Sequence, residues 1–129
     1  MTTNAEIVRR GFDALTAGDL DALLATLHSD VYWRPLMSRT PGEDAFRGHD
    51  GVTEWWRRIH EVTPDVRSDI DEVVERGDLV YVEGGLGTAA AGGRAQTMAW
   101  VVRLRQGKVD RMDVFTDRDE ARAAAGLDQ

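Results

Sequence analysis

Asp110, Asp113 and Asp117 recur at intervals of three and four residues near the end of the chain. An aspartate held among apolar side chains is a ready general acid or base. Strand alternation decides whether any of these is so placed. Residues 108 to 116 read as a strand, with Met112, Val114 and Thr116 on one face and Asp113 and Phe115 on the other. The first set makes the better pocket face, which turns Asp113 outward as a solvated partner for Arg103. A single β-bulge between Val109 and Asp113 would reverse that assignment. Desolvation would then raise the pKa of Asp113 among Trp100, Trp56 and Met112 and poise it for proton transfer. No glycine marks a bulge between Lys108 and Thr116, so the outward orientation is expected. Asp110 is expected to pair with Arg103 or Arg105 across strands, and Asp117 to cap the helix that follows.

Arg34 is the other candidate, at the end of a short strand closed by Pro35. A guanidinium at a pocket mouth binds a carboxylate or enolate, acting as an electrophile rather than a base. A surface ion pair with Glu43 or Asp44 competes with that reading. His49 and His60 stand eleven residues apart, roughly 16 Å along a helix, so they cannot share a metal. Rim or capping roles suit both. His28 is expected to end the second helix, where an imidazolium suits the dipole. Glycines 84, 85 and 87 lack the strand-to-helix setting of a phosphate loop, and a bulge or close backbone approach explains them better. There is no cysteine, which excludes disulfides, thiolate zinc sites and cysteine nucleophiles. Neither a metal nor a cofactor is expected.

The elements that must position these groups come in two blocks. Thr3 to Glu6 has the spacing of a capping box, followed by Ile7, Val8, Phe12 and Leu15 at helical intervals. Gly18 suits a C-terminal stop, and Asp19 caps a second helix carrying Leu20, Leu23, Leu24 and Leu27. Val31 to Arg34 reads as a strand, and Leu36 to Phe46 as a loop. A third helix from about Asp50 to Glu61 carries Val52, Trp55, Trp56 and Ile59 on one stripe, which points both adjacent tryptophans inward. Residues 66 to 76, 79 to 88, 96 to 105 and 108 to 116 then read as four strands. Gly77-Asp78 and Gln106-Gly107 are the two-residue connections of antiparallel hairpins. A short alanine-rich helix closes the chain after Asp117. Helices followed by a strand meander spell an α+β fold, a curved antiparallel sheet packed on helices, with a cavity where the sheet curls.

At 129 residues and a formal charge of −7, the chain is one domain, residues 1–129, without the basic footprint of a nucleic-acid binder. Basic pairs such as Arg57-Arg58 are interleaved with acids. No run approaches the roughly 18 apolar residues of a membrane span. The stretch MTTNAEIVRR has no apolar core of a signal peptide, so a cytoplasmic location is expected.

Four segments together resemble the nuclear transport factor 2-like superfamily and its SnoaL-like branch. They are Gly18-Asp19-Leu20; Phe46-Arg47-Gly48-His49-Asp50-Gly51-Val52 before paired aromatics; Arg76-Gly77-Asp78-Leu79-Val80; and Asp113-Val114-Phe115-Thr116-Asp117 followed by Glu120-Ala121 and Ala125-Gly126-Leu127. The resemblance covers nearly the whole chain. It implies a cone-shaped α+β barrel, usually a homodimer, holding an apolar pocket. It also implies kinship with polyketide cyclases, ketosteroid isomerase and limonene epoxide hydrolase, whose chemistry must be tested position by position. The isomerase base falls at Arg34, its second acid at Trp100, and its tyrosine at Gly11 or Phe12. The aspartate of SnoaL-like cyclases and one hydrolase acid fall at Val114, and a cyclase histidine at Trp100. The hydrolase Arg-x-Asp pair would fall near Glu83-Gly84-Gly85-Leu86, where neither residue stands. The two pocket histidines of scytalone dehydratase have no counterpart.

The pocket is therefore expected to draw on Phe12, Arg34, Trp55, Trp56, Ile59, Met98, Trp100, Met112, Val114 and Thr116. Three functions follow. One is an isomerase, cyclase or hydrolase acting on a hydrophobic substrate. Another is a binding protein that keeps the pocket without the carboxylates. The third is a dimeric scaffold with a filled core. Tyr81, Val101 and Phe115 share the outward parity, and their exposure would mark a homodimer interface on the outer sheet face.

Overall fold

The first three elements are helix, helix and strand, closed on one another by their own polar side chains. In a computed structural model, which describes residues 2–35, 46–88 and 93–127, α1 spans Asn4–Ala17 and starts at a complete capping box between Thr3 and Glu6. It stops at Gly18, whose φ of 73° is the left-handed conformation that glycine adopts without cost. Helix α2 (Leu20–Ala25) opens on the Asp19 carboxylate, which accepts from the Ala22 N–H. It is shorter than its leucine stripe suggests. The Thr26 hydroxyl donates back to the Leu23 carbonyl at 2.7 Å, while the Thr26 carbonyl accepts from Val109 at 2.9 Å. The backbone is thereby drawn into the sheet. Leu27 and His28 accordingly belong to strand β1 (Leu27–Arg34) and not to a helix end. His28 Nδ1 lies 2.7 Å from Asp30 Oδ1 instead of facing a helix dipole.

Strand β2 (Phe46–Arg47) leads directly into α3 (Gly48–Val62). The helix begins before Asp50, because Gly48 takes a φ of 70° in close approach to the Ser29 carbonyl. Arg47 is its N-cap residue and contributes no side-chain cap; Asp50 sits in the first turn. Strands β3 (Val66–Arg76), β4 (Leu79–Thr88), β5 (Gly93–Arg105) and β6 (Lys108–Phe115) then form the meander. Helix α4 (Arg118–Ala124) starts on Asp117, whose carboxylate accepts from the Asp119 and Glu120 N–H groups.

The six strands form one curved sheet in the order β2-β1-β6-β5-β4-β3. The pairing is antiparallel except between β1 and β6, which run parallel. Gly84 lies where β3 shifts register between Ile70 and Glu72. A Cβ there would come within 2.4 Å of the Asp69 carbonyl oxygen, so the position needs glycine for close approach.

Strand β6 carries the bulge that its lack of glycine argues against. Arg103 faces Arg111 but Leu104 faces Val109, which leaves Asp110 as the extra residue. A bulge needs a local change of backbone angle, not necessarily a glycine. Its effect falls on the first half of the strand. Val109 and Met112, three residues apart, are both buried in the core between sheet and helices. Beyond the bulge the phase is the expected one, with Met112 and Val114 in and Asp113 out.

Two apolar clusters flank the sheet. The larger joins α1, α2 and α3 to its concave side. The smaller comprises Tyr81, Ala99, Val101, Ala121 and Ala125, with Phe115 packed against it. The outward parity of Tyr81 and Val101 is correct, but their exposure is not. Helix α4 folds over them, leaving Tyr81 fully buried and Val101 7% exposed. Two of the three residues that suggested a dimer interface are thus covered within one chain, and Phe115 stays partly exposed. None of the described helices is long and apolar enough to cross a membrane.

Candidate functional site

Between the helices and the concave side of the sheet lies a cavity of about 330 Å³. Helix α1 contributes Val8, Gly11, Phe12 and Leu15, one turn-by-turn stripe of the helix. Helix α3 contributes Trp55, Ile59 and Val62 at the same kind of spacing. The sheet supplies Trp33 and Pro35 on β1 and its end, Met98, Trp100 and Val102 on β5 and, on either side of the β6 bulge, Val109 and then Met112 and Val114. Trp100 meets Phe12 edge to face at a centroid separation of 4.8 Å. Trp33 and Trp55 lie 5.2 Å apart at a tilt of 60°. Val62, 77% exposed, stands at the rim where α3 ends.

Of the residues expected in this wall, Phe12, Trp55, Ile59, Met98, Trp100, Met112 and Val114 border the cavity. Arg34, Trp56 and Thr116 do not. The stripe of α3 that faces the cavity runs through Trp55 and Ile59 to Val62, which turns Trp56 onto the flank. There it packs against the core and stacks on His60 at 4.6 Å. His60 in turn donates from Nδ1 to the Trp56 carbonyl at 2.8 Å. Thr116 lies beyond the end of β6 and is exposed, because the strand stops at Phe115. Arg34 is exposed and takes the outer parity of β1, between inward Trp33 and Pro35. Its suggested partners Glu43 and Asp44 lie outside the described residues. The sequence reading missed Trp33, although the alternation of Val31, Trp33 and Pro35 was a usable signal.

No acid, base or histidine is found among the described wall residues. The ionisable groups collect on the other side of the sheet. Asp113 accepts from Arg111 Nε at 2.8 Å, not from Arg103, and its second oxygen is buried without a hydrogen-bond partner. That hydrogen bond also raises the pKa of Arg111. Asp110, thrown outward by the bulge, accepts from Arg103 at 2.8 Å and from Arg105 at 3.1 Å. Burial pushes its carboxyl up, but the two guanidinium groups more than reverse this and hold it below the usual range. Tyr32 lies under the guanidinium groups of both Arg111 and Arg47, at 4.5 and 4.9 Å.

Beneath α4, the Tyr81 hydroxyl donates to Glu83 at 2.6 Å, and Arg118 reaches the other Glu83 oxygen at 3.1 Å. The Tyr81 bond, with help from Arg118, lowers the Glu83 pKa. Burial, reinforced by the adjoining carboxylate, pushes Tyr81 up to about 12. These contacts fasten the C-terminal helix to the sheet. His49 also has a structural role, donating from Nε2 to the Leu27 carbonyl at 3.1 Å. No cluster of three or more metal-ligating side chains is found among the described residues.

No curated protein matches the chain in sequence. Solved structures do. A nuclear transport factor 2-like protein of unknown function from Burkholderia pseudomallei is 28% identical, with a TM-score of 0.72 over 97% of this chain and 98% of that one. TerC, co-crystallised with polyporic acid, is 26% identical, with a TM-score of 0.71 over 91% of this chain and 93% of that one. A candidate polyketide cyclase from Sinorhizobium meliloti shares the fold at 20% identity and a TM-score of 0.70, over 84% and 93% of the two chains. The model of the SnoaL-like domain matches residues 8–112, which takes in the helices and most of the strands that wall the cavity. The chain belongs to the SnoaL-like domain family, within the nuclear transport factor 2-like superfamily.

Proposed function

We propose that this protein binds a hydrophobic small molecule in the cavity between α1, α3 and the sheet. The observation that carries the reading is a space of about 330 Å³ walled mainly by aromatic and aliphatic side chains, with Thr26, Thr63 and Thr88 its polar side chains and no charged group among its described wall residues. Cavities of this size and composition bury most of the surface of a small ligand. Met98 and Met112 add adaptable wall segments beside the rings. The co-crystallisation of TerC with polyporic acid, at 26% identity, supports a small organic ligand in this fold.

Isomerase, cyclase or hydrolase chemistry needs a proton donor or acceptor at the reacting atoms. Val114, which the resemblance aligns with the aspartate of SnoaL-like cyclases, borders the cavity, and Asp113 accepts from Arg111 on the outer side. This favours binding over acid–base catalysis. A filled-core scaffold would not leave this volume open. Titration with the neutral fluorescent probe N-phenyl-1-naphthylamine tests the reading. One saturable site per chain with blue-shifted emission is expected; absence of saturable binding would overturn it.

A further inference from the structure

On the outer face of the sheet, Arg47, Tyr32, Arg111 and Arg103 stand side by side across β2, β1, β6 and β5, each directly opposite the next. The guanidinium groups of Arg47 and Arg111 both lie over the Tyr32 ring. A ring attracts a cation without neutralising it, so the contact fixes the Arg47 guanidinium and uses none of its N–H donors. Arg34 follows Tyr32 on the same face of β1. Other arginines of this face have acidic partners: Arg103 and Arg105 share Asp110, and Arg111 holds Asp113. Arg34 and Arg47 have no carboxylate partner among the described residues. Helix α4 packs on β4, β5 and β6 and leaves both arginines exposed. The result is a pair of unneutralised cations in a chain of net charge −7.

We infer that this end of the outer face docks an extended, carboxylate-rich segment of a partner protein, with Arg34 and Arg47 as anchors and Tyr32 as a positioning residue. Charge complementarity supplies the attraction, and an arginine fork matches a carboxylate through two parallel hydrogen bonds. Spacing supplies the form of the segment. One strand and two residues separate the backbones of Arg34 and Arg47, roughly 8 Å. Same-side residues of an extended chain repeat at roughly 7 Å, so acids at alternate positions meet both anchors. A continuous phosphate chain would run onto Asp110 and Asp113, which stand among the guanidinium groups. Alternate carboxylates can end at Arg34 and Arg47. The Arg47 side chain makes no cap bond to α3, so holding the helix start does not account for it.

Anisotropy of a fluorescein-labelled peptide of alternating glutamate and glycine, titrated with the full chain at low ionic strength, tests this. Saturable binding is expected, weakened by salt and missing for the glutamine–glycine counterpart. Arg34→Glu combined with Arg47→Glu should weaken binding about tenfold. Arg9→Glu combined with Arg10→Glu makes the same charge change at exposed positions of α1 and should leave binding within about threefold. Tyr32→Leu should weaken binding about threefold and Tyr32→Phe should not, because the ring and not the hydroxyl holds Arg47. Circular dichroism checks that each variant is folded. Absence of saturable binding, or an equal loss in the α1 variant, would overturn the docking site. Tighter binding of a labelled oligothymidylate of equal charge by the wild-type protein would overturn the carboxylate assignment, and that comparison needs no variant to fold. A wild-type dimer in light scattering that the Arg34 and Arg47 substitutions split would overturn it too, since a second copy would then cover the face.

Discussion

Asp113 and Val114 are neighbours on β6 that face opposite sides of the sheet. Val114 borders the cavity, and the Asp113 carboxylate lies 2.8 Å from Arg111 Nε on the outer side. A shift of one residue would exchange them and put a carboxylate in the apolar interior.

Val114→Asp should place an ionisable group in the cavity wall, and desolvation should raise its pKa. A carboxyl whose folded pKa exceeds its unfolded value destabilises the protein at high pH. The penalty shrinks as pH falls through the folded pKa. The variant should lose about 1–3 kcal/mol near pH 8 and recover much of it near pH 5. Urea unfolding across that range checks the sign. A loss that does not change with pH would contradict it.

Beneath α4 two adjoining groups link stability to pH in opposite directions. The pKa of Tyr81 is pushed up to about 12. Its contribution is fully present below the unfolded value near 10 and is lost as pH rises through the folded value. Glu83, lowered by Tyr81 and then Arg118, contributes above its unfolded pKa and loses that contribution as pH falls through its folded one. Phenolate absorbance should show a transition near 12 that is missing in Tyr81→Phe. That variant should also be less stable by about 1–2 kcal/mol at neutral pH, since the lost bond ends on a charged acceptor.

Val101→Glu separates a dimer contact from an intrachain one. Val101 packs in the cluster with Ala121 and Ala125 of the C-terminal segment. The substitution should cost about 2–4 kcal/mol of stability at any protein concentration, because it buries an unpaired charge. Chemical denaturation at two concentrations a hundredfold apart checks this. A loss that shrinks on dilution would instead place Val101 between copies, because association stabilises only at high concentration.

Much of this architecture was legible because it is written in local chemistry. Thr3 with Glu6, Asp19 and Asp117 announce their helices by the oxygen each offers to free N–H groups. Gly77 and Gly107, both at positive φ, announce the hairpins. The remainder depends on contacts that residue types and local spacing do not announce. The Asp110 bulge is held by Arg103 and Arg105 of the next strand, and no residue type encodes it. The early end of α2 depends on Val109 donating to Thr26, far along the chain. The split between Trp55 and Trp56 depends on how α3 is rotated against the sheet, and a stripe that includes both is equally periodic. Nothing in an alanine-rich C-terminal helix says which face it will cover. Helix α4 proved to cover Tyr81 and Val101.

Gly11 lies on α1 at the cavity wall. A Cβ there would meet Leu23 Cδ1 at 3.5 Å and Thr26 Oγ1 at 3.6 Å, ordinary contacts. Gly11→Ala should therefore stabilise the protein by up to about 1 kcal/mol through helix propensity. Thermal unfolding checks it; destabilisation would mean that the space beside Gly11 is not available.

Gly11→Leu turns that space into the most direct test of the cavity as a ligand site. A larger side chain at this position grows from the helix into a space of about 330 Å³. N-phenyl-1-naphthylamine titrated into the wild-type protein should saturate at one site per chain. The same titration into Gly11→Leu should lose that site, while far-ultraviolet circular dichroism and the unfolding midpoint show an intact fold. Undiminished binding by an intact Gly11→Leu protein would contradict the account, because the probe would then be held elsewhere.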